Sequence, residues 1–249
     1  MSSGINPYDE HAEFYVQFVD RGLASEDGRS RLFTTLLDCL GDQLKDARVC
    51  DLCCGEGYVG RRLLDHGVRE VVGIDLSSAL IEVAKRRANA PGLSYRVEDA
   101  QELRSVADAE FDVVVCHMAM MDVADHKRLF ASVRRVLARD RPFVFSLLHP
   151  CFMPPCHATE APPLILDGVG LPVAVSVQRY ATEGHWNSGG DGVRGRMGAY
   201  HRKLSTYIND LLASGFALER LEEPLADGDV RIGLAAEVPP FLLIAAHAV

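Results

Sequence analysis

From residue 48 onward the chain alternates short apolar runs with amphipathic stretches. The runs Arg48 to Cys53, Glu70 to Asp75, Leu93 to Val97, Phe111 to Cys116 and Pro142 to Leu148 are bounded by glycine, proline or polar residues. They are too short for helices and read as buried strands. Between them lie segments with helical spacing. One runs from Tyr58 to about His66, and a second is capped by Ser77, runs through Asn89 and is closed by Pro91-Gly92. A third carries the apolar stripe Leu129, Phe130, Val133, Val136 and Leu137. Strands separated by helices of this length predict a parallel sheet covered on both faces.

Two helices precede this core. Residues 7 to 21 start with proline and place Phe14, Phe18 and Val19 at helical spacing, and Ser30 to Leu40 puts Leu32, Leu36, Leu37 and Leu40 on one side. After His149 the rhythm breaks. Residues 150 to 200 hold six prolines and a run of glycines around Trp186, with one apolar run, Val173 to Val177, that suggests a strand. So long a connection at the C-terminal end of a strand is placed to close over a ligand. Regularity returns with a helix from Lys203 to Ala213, ended by Ser214-Gly215. The runs Phe216 to Leu221 and Phe241 to Ala246 then follow with no helix between them and predict an antiparallel hairpin added to the sheet. Three segments result: helices and α/β core in 1–149, a lid insertion in 150–200, and a closing helix and hairpin in 201–249.

The chemistry concentrates in Val49 to Gly60, where a strand turns through glycines into a helix, so that a ligand can approach bare backbone. Gly55 to Gly60 spells G-x-G-x-x-G, and Asp75 follows Gly55 by 20 positions at the end of the next strand. That is dinucleotide spacing, and a carboxylate at Asp75 can accept bonds from both hydroxyls of an adenosine ribose. Asp51, inside the first strand, changes the picture. A carboxylate there opposes a pyrophosphate and suits a ligand carrying a cation, such as an amino acid moiety or a sulfonium.

Asp51, Gly55 and Gly57 resemble the loop of the class I S-adenosylmethionine (SAM) dependent methyltransferases of the small-molecule type. Cys53 stands where that pattern has its first glycine. The phrases Asp-Leu-Cys-Cys-Gly-Glu-Gly, Gly-Ile-Asp-Leu-Ser and Phe-Asp-Val-Val-Val carry the same likeness across residues 48 to 148. The resemblance implies a Rossmann-like, doubly wound seven-stranded sheet, mostly parallel with a C-terminal antiparallel strand, and SAM as cofactor. It implies that Asp75 and Leu76 meet the ribose, that Asp99 and Ala100 meet the adenine, and that Cys116, His117 and Met118 end a strand facing the methionine part. It also implies that the N-terminal helix covers the cofactor, with Tyr15 on the cofactor and Tyr8 toward the acceptor.

Where the acceptor is a hydroxyl, a base must remove its proton, and histidine suits that task. His149 and His117 both end strands above the expected pocket, with His149 the first choice. His185, Trp186 and His201, in or beside the lid, complete the expected acceptor site. Competing readings are a SAM-binding regulator or cyclase that transfers no methyl group, and an NAD-dependent oxidoreductase built on the literal G-x-G-x-x-G.

Composition narrows the partners. The chain of 249 residues is 48% apolar and carries a net charge of −9, so it has no basic footprint for nucleic acid or acidic membranes. A small-molecule acceptor is expected, and a homodimer is compatible with the sequence. Without a basic leader and apolar run at its start, or an apolar stretch near 18 residues, the expected location is cytoplasmic. The seven cysteines read as buried thiols. His149, Cys151, Cys156 and His157 lack the paired short spacing of a zinc site, so no metal is expected.

Overall fold

A computed structural model describes residues 6–24, 31–88, 90–153, 164–170, 172–225 and 238–249. Ser30, Asn89, Cys156 and His157 lie outside the described residues. The chain opens with helices α1 (Pro7–Glu10), α2 (Ala12–Ala24) and α3 (Arg31–Leu40). The core then alternates β1 (Arg48–Leu52), α4 (Tyr58–Leu63), β2 (Glu70–Asp75), α5 (Ser78–Arg87), β3 (Leu93–Val97), β4 (Val113–Cys116), α6 (His126–Val136) and β5 (Pro142–Leu148). Short pieces follow: β6 (Leu164–Leu166), β7 (Pro172–Val175), β8 (Gly184–Trp186), α7 (Val193–Arg196) and β9 (Ala199–His201). Helix α8 (Leu204–Ala213) and strands β10 (Phe216–Glu222) and β11 (Phe241–Ala248) complete the chain.

The main sheet has seven strands in the order β10-β11-β5-β4-β1-β2-β3. β11 pairs antiparallel with both β5 and β10, and the other pairings are parallel. The expected hairpin is therefore present, with β11 inserted between β10 and the parallel core. The central strands are buried on both faces, which is why they read as continuous apolar runs. On one face Cys50, Leu52, Val72, Ile74, Phe143 and Phe145 pack with the α6 stripe and with Tyr207 and Leu211 of α8. On the other, Val49, Val71, Val113, Val115 and Val144 pack with Leu32, Phe33, Leu36 and Leu40 of α3 and with Val59 and Leu63 of α4.

Two expected boundaries shift for local reasons. The N-terminal helix breaks at His11, whose φ of −113° leaves the helical range, so α1 is a separate turn capped by the Asn6 side chain. Phe111 leaves the β4 ladder for a single bridge to Leu137. The order of the sheet reverses at β1, which sends the chain to β2 on one side and has β4 on the other. A crevice at the carboxyl ends of these strands is the ligand position of open α/β sheets.

Candidate active site

The turn after β1 is set by three residues in the left-handed region: Cys53 at φ 57°, Gly55 at 55° and Gly57 at 83°. Cys53, where a glycine would be unstrained, bears a cost of roughly 1–2 kcal/mol for its Cβ. Gly57 is required twice over, because a Cβ there would stand 2.2 Å from the Tyr95 hydroxyl. Asp51 is buried and its Oδ2 accepts the Gly60 N–H at 2.8 Å, which braces β1 against the start of α4. Burial pushes its carboxyl up to about 7, against the pull of that hydrogen bond.

Asp75, ending β2, is held by two backbone donors: Gly55 N–H to Oδ2 at 2.9 Å and Ser77 N–H to Oδ1 at 2.8 Å. Burial nevertheless raises its carboxyl to about 6. Each oxygen keeps acceptor capacity beyond these bonds. Asp75 forms one wall of a cleft with about 860 Å³ of free space, lined also by Tyr8, Tyr15, Cys53, Gly55, Leu76, Asp99, Ala100, His117, Met118, Asp122 and Tyr200. Asp99 carries the Gln101 N–H on Oδ1 at 2.9 Å and the Gln101 side-chain amide on both oxygens.

The N-terminal segment reaches this cleft because Asp9 is anchored to the start of α5. Its Oδ1 accepts from the Ser77 hydroxyl at 2.7 Å and from the Ala79 N–H at 2.9 Å. Tyr8 and Tyr15 then meet edge to face at 5.1 Å, and the Tyr15 ring lies over Gly55. From the far side, Arg194 of α7 pairs with the partly buried Asp122 and donates to the Gly198 carbonyl at 2.9 Å. Arg196 sits 4.4 Å over the Phe14 ring, so α7 touches the N-terminal helix as well.

A second cavity, with about 1910 Å³ of free space, adjoins the cleft. The two share Tyr15, Cys53, His117 and Met118. Its walls are mainly apolar, with Phe18, Leu32, Phe33, Leu148, Val193 and Phe241 among them, and it also meets Asp51 and Glu56. His117 stands at the junction. Its Nδ1 lies 3.1 Å from the Ser146 hydroxyl, which also accepts the Met118 N–H at 2.9 Å. Burial lowers the imidazole to about 4, so the ring is neutral at pH 7.

The structure brings together Asp75, Leu76, Asp99, Ala100, Gly55, Cys53, His117, Tyr15 and Tyr8. It places other expected residues elsewhere. His149 lies outside the linings of both cavities, with Nε2 2.7 Å from Glu223 and Nδ1 accepting the Cys151 N–H at 3.1 Å. Both ring nitrogens have partners within the chain. His201 is buried with Nε2 2.8 Å from the Tyr180 carbonyl, and His185 packs on Tyr200 in the β8–β9 hairpin. Trp186 packs against the core from the same hairpin. None of these three lines either cavity. Cys116 points into the core, and Gly57 serves the Tyr95 contact rather than the cleft. Asp122, Arg194 and Tyr200 were not singled out by sequence, because only the folded chain brings residues 122 and 194 together. Among the described residues no group of three or more histidine, cysteine, aspartate or glutamate residues is arranged to hold a metal ion.

The donor set fits a cationic adenosine ligand. Carboxylates of Asp75, Asp99 and Asp122 face the cleft, and the arginine that lines the adjoining chamber, Arg194, is neutralised by Asp122. A diphosphate there would meet uncompensated negative charge. Leu76, 53% exposed, offers an apolar surface beside the Asp75 carboxylate. This sheet order and this cleft define a class I SAM-binding protein.

Comparison with known proteins agrees. Residues 49–140 match the family described as "Methyltransferase domain". A solved SAM-dependent methyltransferase from Mesorhizobium loti superposes with a TM-score of 0.74 at 29% identity, over 89% of this chain and 99% of that one. The N-demethylindolmycin N-methyltransferase of Streptomyces griseus is 24% identical over 88% of this chain and 91% of its own length. The ubiquinone biosynthesis O-methyltransferase of Coxiella burnetii is 31% identical over 43% of this chain and 45% of its own. Residues 49–140 are thus a methyltransferase domain of the class I SAM-dependent type, with SAM as its cofactor. The oxidoreductase reading of the glycine motif is thereby corrected. The motif was met literally, but its glycines answer to turn geometry and to Tyr95 rather than to a pyrophosphate.

Proposed function

We propose that the enzyme methylates a small organic acceptor held in the apolar chamber, releasing S-adenosylhomocysteine, as in quinone-like or natural-product chemistry. The observation that carries this reading is that Tyr15, Cys53, His117 and Met118 line both the chamber and the cofactor cleft. When bound, SAM supplies a methyl group already activated on a sulfonium. The protein's own work is then alignment, exclusion of water and handling of a proton. Asp75 and Asp99 hold the adenosine, Tyr8 and Tyr15 cover it, and the apolar walls keep the acceptor dry.

His117, which lines both spaces, is our candidate to meet an acceptor proton in preference to His149. Held near 4, it is a weak base. That favours acceptors needing little help, such as an amine arriving neutral, an acidic phenol or an activated carbon. The names of the similar enzymes, which include both N- and O-methyltransferases, leave the methylated atom open.

The test is transfer of labelled methyl from SAM to a panel of apolar phenols and amines. Filling the chamber by Val193→Trp should lower kcat/KM for the best acceptor at least tenfold while SAM affinity stays within twofold. Unchanged transfer in that variant would place the acceptor elsewhere.

A further inference from the structure

Tyr200 lines the cofactor cleft, yet it comes from the insertion and not from the α/β core. It is the middle residue of β9, between Ala199 and His201, both of them buried. Side chains alternate along a strand, so Tyr200 is turned to the opposite face, where it is only partly buried.

Two side chains hold the ring. His185, its direct partner across the β8–β9 ladder, meets it edge to face at 5.0 Å. Arg202 lies 5.3 Å from the ring centre on another side. Arg202 is itself fixed, because Nη2 donates to the Val123 carbonyl at 2.8 Å and to the Ala124 carbonyl at 2.7 Å. Val123 and Ala124 also line the cleft. The next residue, Asp125, donates its N–H to Gln101 Oε1 at 2.8 Å, and the Gln101 amide donates to both oxygens of Asp99. The wall that carries Tyr200 therefore continues into the wall that carries Asp99. A ring held in place with part of its surface open to a cleft offers a planar base a face or an edge to pack on, and such contacts add appreciably to binding.

We propose that Tyr200 is the lid-side contact of the cofactor's adenosine, so that the β8–β9 hairpin, expected from the sequence to serve the acceptor, serves the cofactor. His185, which lines neither cavity, is then a positioning residue that acts through the Tyr200 ring. The inference concerns the cofactor cleft alone and stands whichever acceptor the chamber takes.

The test is calorimetry with S-adenosylhomocysteine and with 5′-methylthioadenosine, which keeps the adenosine and lacks the amino acid part. Tyr200→Ala should weaken both ligands at least fivefold and to a similar degree, whereas Tyr200→Phe, which keeps the ring, should stay within twofold. His185→Ala should weaken S-adenosylhomocysteine about threefold in the otherwise natural chain and leave it unchanged when Tyr200 is already alanine. In the natural protein, hydrogen exchange at the β8–β9 amides should slow when S-adenosylhomocysteine binds. Unaltered exchange there, with binding seen by calorimetry, would overturn the proposal without recourse to any variant. So would full affinity for both ligands in Tyr200→Ala, or a loss confined to S-adenosylhomocysteine, which would put the ring on the methionine part. A His185 effect that persists without the Tyr200 ring would contradict the positioning role.

Discussion

At the residue scale, Asp75 shows how one position can serve two states. Its carboxylate is disfavoured by burial, while the N–H groups of Gly55 and Ser77 favour it, which leaves it near 6. Ribose hydroxyls and a nearby sulfonium favour the charged form, so binding must draw that value down. A ligand that prefers the carboxylate therefore binds more weakly as pH falls through 6 and gains nothing further well above it. SAM affinity measured from pH 5 to 8 should therefore drop below pH 6 by up to about tenfold per unit and be level above 7. Asp75→Asn should weaken binding at pH 8 by tenfold or more and flatten the profile. An unchanged slope in the variant would assign the titration to another group.

The same scale shows what a sequence can disclose. That Asp75, Asp99 and Gly55 would share one cleft was legible, because each lies at or shortly after the end of a strand on the same edge of the sheet. His117 and His149 also both end strands, yet only His117 lines the cleft. The difference is made by distant partners. Glu223, 74 positions away, draws the His149 ring aside, whereas Ser146 of the neighbouring strand holds His117 at the junction.

At the scale of elements, the cofactor cleft is roofed by pieces that contribute little to the core. Helix α1 buries no residue fully and is tied down by Asp9 on the first turn of α5. A capping carboxylate of this kind is worth about 1 kcal/mol. Asp9→Ala should thus leave the Tm of the protein within a few degrees but weaken SAM about fivefold, with Tyr8 and Tyr15 no longer held over the cleft. Faster proteolysis within residues 7–24 would confirm the cause, and full affinity with a released α1 would refute it. These contacts explain why the helix was predicted correctly while its break at His11 was not. The apolar spacing of Phe14, Phe18 and Val19 specifies α2, but α1 is shaped by the Asn6 cap and by its docking onto α5.

For the whole molecule, the sheet was written almost strand by strand into the alternation of apolar runs, since strands buried on both faces have no polar side to blur the signal. Residues 150–200 were less legible. Their described part forms two small hairpins and the turn of α7, held by ion pairs and ring contacts to distant residues rather than by periodic packing. Arg194 on Asp122 and Arg196 on Phe14 join this region to the cleft and to the N-terminal helices. Among the described residues no helix is long and apolar enough to cross a membrane.

The cofactor cleft and the proposed acceptor chamber share His117 and Met118. A crystal structure with S-adenosylhomocysteine tests this most directly. The ribose should lie on Asp75, the adenine beside Asp99 and Ala100, and the sulfur should face the opening into the chamber bounded by Phe33 and Val193. A sulfur directed away from that opening, or walled off from the chamber, would contradict it.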